Sequence, residues 1–66
     1  MANNEPNYKV LATTTVNGNK VELREYQKHW SVVSIDNHGN IEEIIRNEYT
    51  KAKWTYQIQT YSLLGK

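Results

Sequence analysis

Between Trp30 and Ile45 the chain reads WSVVSIDNHGNIEEII, and this stretch limits the fold more than any other. The apolar run Val32, Val33, Ile35 is broken by Asp-Asn-His-Gly-Asn and resumes with Ile41, Ile44 and Ile45. Two runs rich in β-branched residues around a cluster of turn formers specify a hairpin. A second hairpin is marked by Asn17-Gly18, flanked by Val16 and Val21. Both central residues of a type I′ turn need positive φ, which Asn tolerates and Gly takes without strain.

The rest of the sheet follows from alternation. Tyr8, Val10, Ala12, Thr14 and Val16 fall on one face of a first strand, and Leu11 on the other. A second strand runs from Lys20 to about Gln27, with Val21 and Leu23 opposite Glu22 and Arg24. Lys28-His29 marks the next reversal, without a Gly or Pro, and Trp30–Asp36 is the third strand. Residues 1–7 are Asn-rich, contain the sole proline and read as a disordered tail ahead of one domain over residues 8–66.

Beyond Asn40 the pattern supports two structures. In one, Ile41 to about Asn47 is a fourth strand. A shorter helix then starts at Thr50 as N-cap, with Tyr49 and Trp54 forming a hydrophobic staple and Gly65 as the stop. In the other, a helix of about 24 residues begins at Asn40, because steps of 100° put Ile41, Ile44, Ile45, Tyr49, Ala52, Tyr56 and Leu63 on one stripe. Poor helix formers (three Ile, then Thr50, Thr55 and Thr60) and a length of roughly 36 Å argue for the strand. Trp54–Thr60 also alternates as a strand would, yet the helix groups its apolar residues better. The expected fold is α+β: an antiparallel meander of three or four strands, then one C-terminal helix packed on the sheet.

Composition narrows the function classes. Sixty-six residues hold one small core, and the absence of cysteine removes disulfides, thiolate metal sites and Cys nucleophiles. A cysteine-free chain whose first residues, MANNEPN, lack a basic and an apolar region is expected to be soluble and cytoplasmic. No apolar run approaches the roughly 20 residues of a membrane span. A net charge of +1 does not by itself call for nucleic acid, although every acidic residue lies at or before Glu48.

No motif for chemistry survives inspection. With Gly39 placed at the invariant glycine of a calcium loop, Ser34 takes the first ligand position and Ile45 that of the bidentate Glu. His29 and His38 fall at loop ends without metal-ligand spacing. Glu22, Glu25, Glu42 and Glu43 read as strand-surface charges, and there is no phosphate loop or nucleophile elbow. The expectation is a protein that is not an enzyme and uses no cofactor or metal.

Seven aromatic residues are more than so small a core hides. In the helical reading Trp54, Ile58, Tyr61 and Leu64 form a stripe opposite Ala52, Tyr56 and Leu63, and one sheet covers only one of them. Trp and Tyr are enriched at interfaces, so Trp54, Tyr56, Ile58 and Tyr61 are the candidate contacts with a larger protein partner. Small single-domain chains of this kind suit phage and mobile elements, where inhibiting a host protein is a common task. A second reading is a sheet-based nucleic-acid binder using Lys20, Arg24, Lys28, Lys51 and Lys53. A third is a homodimeric accessory subunit joined through its helix.

Overall fold

The computed structural model describes residues 7–65. The tail expected over residues 1–7 lies, apart from Asn7, outside them. Strands β1 (Lys9–Val16), β2 (Asn19–Glu25), β3 (Trp30–Ile35) and β4 (Ile41–Arg46) form one antiparallel sheet in sequence order, followed by helix α1 (Tyr49–Leu64) packed on it. The fold is α+β, a four-stranded meander with a C-terminal helix, and Ile41–Arg46 is a strand.

Each turn is held by different chemistry. Asn17 and Gly18 both take positive φ, 52° and 82°, as the Asn-Gly pair requires. At the β3–β4 turn Gly39 supplies a φ of 87°, and Asp36 N–H donates to the Asn40 carbonyl. The Asp36 carboxylate accepts from the N–H groups of His38 and Asn40 and from the Asn40 side chain, each at 2.9 Å. The β2–β3 reversal, from Tyr26 to His29, uses no glycine and no positive φ. Its rings stack instead, with centroids 4.5 Å apart and 13° between planes.

Register assigns the faces. Ala12, Leu23, Val32 and Ile44 lie abreast, as do Thr14, Val21, Ser34 and Glu42. This face receives α1, and the core is Val21, Leu23, Val32 and Ala52, with Ala12, Trp30, Tyr56 and Leu63 packed around it. Polar contacts seat the helix at both flanks: the Thr14 and Tyr56 hydroxyls share a 2.7 Å bond, and Arg46 Nε donates to Thr55 Oγ1 at 3.2 Å.

Two local readings are corrected. A bulge between Val10 and Ala12 pairs Val10 with Arg24, so Val10 leaves the face that Ala12 and Thr14 occupy. Alternation alone carries no mark of an inserted residue. The helix also starts at Tyr49 rather than after a Thr50 cap; Glu48 is the N-cap, without a side-chain bond, and the Ala52 N–H donates to its carbonyl. Tyr49 is drawn into the first turn by Trp30, whose ring lies 6.0 Å away, while Trp54 stays exposed, so the two make no staple. Gly65 ends the helix as expected, at an ordinary φ of −80°, with its N–H on the Tyr61 carbonyl.

The opposite sheet face has no covering element among the described residues, yet its centre is dry. Val33 is flanked by Glu22 and Glu43, and Ser31 by Arg24 and Ile45, and both are buried. The apolar stems of long charged side chains close over such positions. Ser31 Oγ has no hydrogen-bond partner there. A buried hydroxyl without a partner costs about 1–3 kcal/mol in proteins. Ser31→Ala is therefore expected to raise stability by about 1 kcal/mol, read as a higher urea midpoint at unchanged slope. A lower midpoint would mean that the hydroxyl is bonded.

Candidate protein-binding surface

Helix α1 carries apolar residues on two sides, and the sheet uses one of them. Ala52 is fully buried against β2 and β3, with Tyr56 and Leu63 beside it. On the far side Trp54 is 64% exposed, Ile58 48% and Tyr61 74%, and Leu64 continues the stripe near the C-terminus. Their i, i+4 and i+3 spacing makes the first three neighbours on the helix surface. Beside Trp54 and Ile58 an open groove runs between the helix and β4, lined by Ile44 and Arg46 of the strand and Thr55 of the helix.

The four candidate contacts thus separate into three and one. Trp54, Ile58 and Tyr61 share the uncovered stripe; Tyr56 is half-buried, with its hydroxyl on Thr14. Its place among the candidate contacts runs against its position on the opposite stripe, two residues from Trp54 and roughly 160° around the helix. Trp30 packs at the edge of the core against Tyr49.

The five candidate cations do not gather on one surface. Lys20 and Arg24 lie on the uncovered sheet face, where Glu22 sits between them at 3.4 Å and 2.6 Å. Arg24 also stacks over the Tyr8 ring, 4.3 Å from its centroid. Lys28 stands in the β2–β3 turn, off the strand face that Lys20 and Arg24 share. Lys51 and Lys53 are on α1, the former 3.8 Å from Glu48.

Burial pushes the Glu22 carboxyl up, but the hydrogen bond and charge of Arg24, with Lys20 behind, outweigh it and hold the group below its usual range. The Asp36 carboxyl is held down by its bonds from Asn40 and His38. A carboxylate whose folded pKa is depressed adds stability above the unfolded pKa and loses it as pH falls through the folded value. Unfolding free energy is accordingly expected to be flat from about pH 7 to 5 and to fall below about pH 4. The Glu22→Gln protein should be less stable than its parent at pH 7 and lose less on acidification, measured by urea titration at both ends. Equal acid losses in the two proteins would remove Glu22 from the account.

Sequence reasoning missed a second apolar set. Ile41 and Ile45 are 68% and 56% exposed on β4, and with Val10 they lie on the uncovered sheet face. The alternation of Ile41, Glu43 and Ile45 against Glu42, Ile44 and Arg46 was the available signal. Among the described residues no three His, Asp or Glu side chains gather as a metal site would need, and no helix is long and apolar enough to cross a membrane. No family model, curated protein or solved structure matches the chain.

Proposed function

We propose that the chain is a non-enzymatic protein-binding module that modulates a larger protein by occupying part of its surface. The observation that carries this reading is the uncovered stripe of Trp54, Ile58 and Tyr61 on a helix whose other side is already committed to the core. Large aromatic side chains around an aliphatic one, on a rigid helix, give contact area at low conformational cost. A helix face of this kind inserts into an apolar groove on its target.

The disposition of charge favours protein over nucleic acid as the partner. Three of the five cations, Lys20, Arg24 and Lys51, already face acidic partners, and the five are spread over the uncovered sheet face, a turn and the helix. Phosphate contacts would make affinity fall steeply with salt. Immobilised protein should capture a partner from cells of its source organism, and capture should survive a rise from low to high salt. Loss of capture with salt, together with retention of duplex or single-stranded DNA at low salt, would replace this reading with the nucleic-acid one.

A further inference from the structure

The two edges of the sheet are built differently. β1 is interrupted by its bulge, a device that discourages pairing with another chain. β4 runs six residues in unbroken register with β3 and contains neither bulge nor proline. Antiparallel partners alternate between hydrogen-bonded and non-bonded pairs, and the Asp36 N–H to Asn40 carbonyl bond sets the phase. Glu42, Ile44 and Arg46 therefore bond to β3, whereas Ile41, Glu43 and Ile45 turn their backbone groups outward. Among the described residues one of those groups is satisfied, the Ile45 carbonyl, which accepts from Arg46 Nη1 at 3.2 Å.

We propose that β4 is the seam of a homodimer, pairing antiparallel with β4 of a second copy about a two-fold axis at Ile44. Side chains facing across such a seam must lie on the same sheet face, which permits pairing only in steps of two residues. Centred on Ile44, Glu42 stands opposite Arg46 of the second copy, twice by symmetry, and Ile44 meets its own copy in a close, non-bonded pair. Centred on Glu43, two like charges face each other at the axis. Centred on Ile45, neither ion pair forms. Charge complementarity thus selects one register out of three. On pairing, the Ile45 carbonyl accepts the Glu43 N–H of the second copy, and the Arg46 guanidinium turns from it to Glu42.

The helix side points to the same occupant. A helix about 10 Å across does not cover four strands set about 4.8 Å apart. α1 sits chiefly over β2 and β3, leaving Ile44 as groove floor with Trp54 and Ile58 on the wall above it. A two-fold axis through the sheet puts both helices on one face, so the two half-grooves join over the Ile44 pair. Trp54 and Ile58 from each copy then stand on the two walls of this joined groove, which stays open on its outer side.

Sedimentation equilibrium from micromolar to millimolar concentration tests this with the chain alone. A monomer–dimer equilibrium is expected, with dissociation about tenfold easier for Glu42→Arg and for Arg46→Glu. The double variant Glu42→Arg/Arg46→Glu should regain the parental constant within about twofold. Arg46 also bonds Thr55, so Glu43→Pro serves as a second probe: the N–H it removes points outward, and dimer loss with an unchanged circular dichroism spectrum is expected. A monomer at every concentration, a stoichiometry other than two, a double variant that dissociates as easily as the two single variants, or a dimer that survives Glu43→Pro would each overturn the proposal. None of these outcomes bears on capture of a larger partner through Tyr61, which lies away from the seam.

Discussion

A Leu23→Ala protein is expected to stand at the edge of unfolding, its urea midpoint lower than the parent's by about 2 M or more. Chains of this length have a total stability of roughly 3–10 kcal/mol, from about 0.05–0.15 kcal/mol per residue. Removing a buried leucine side chain costs roughly 2–5 kcal/mol, the upper part arising where the site cannot collapse. Leu23 is 3% exposed and sits in register between Ala12 and Val32, beneath Ala52. Ala12 and Ala52 beside it have only a methyl group and nothing to move into the space. The control is Leu11→Ala, where a leucine 37% exposed in the bulge should cost less than about 1 kcal/mol. Equal losses from the two would mean that the helix is not seated on Leu23.

How legible this fold was depended on whether a local residue dictated the local shape. Asn17-Gly18 announced its turn because positive φ is a property of those residues. The Tyr26–His29 turn was placed at Lys28-His29 without a glycine or proline to mark it, since what closes it is a ring stack and the bond from the Tyr26 N–H to the His29 carbonyl, between residues common in any structure. The bulge at Val10 was hidden for a related reason: an extra residue in a strand is set by what the partner strand presents, here Arg24. Ile41 to Arg46 was the hardest segment. Ile41, Ile44 and Ile45 fit a helical stripe, yet in the sheet Ile44 faces α1 while Ile41 and Ile45 face away. Pairing with β3 through the Asp36 turn decided between the two periods, and pairing is not a local property.

The candidate surface was legible in the same conditional sense. Once Tyr49–Leu64 is a helix, its spacing separates Trp54, Ile58 and Tyr61 from Ala52, Tyr56 and Leu63 without further information. What spacing could not supply was which set the sheet would take. Ala52 settled that, because the residue at the closest helix–sheet approach has to be small. The β4 edge, by contrast, emerged only with the topology, for an edge exists only once the strand order is known.

Alanine at Trp54, and separately at Tyr61, is expected to weaken the proposed partner complex by about 30-fold or more each, the effect of losing an aromatic hot spot worth about 2 kcal/mol. The same substitutions should change folding stability by no more than about 0.5 kcal/mol, since both side chains are mostly in water in the free protein. Tyr56→Phe supplies the opposite signature. Its hydroxyl leaves the Thr14 bond, so stability should drop by about 1 kcal/mol while binding stays near the parental value. The two readouts are urea denaturation of each variant and titration calorimetry against the captured partner. A surface built for recognition separates affinity from stability in this way, because the groups that bind are not those that hold the helix down. Were Trp54→Ala instead to unfold the protein, or Tyr56→Phe to weaken binding more than Trp54→Ala, the outer stripe of α1 would lose its assigned role. In that case the binding face would have to be sought on the uncovered side of the sheet, around Ile41, Ile45 and Val10.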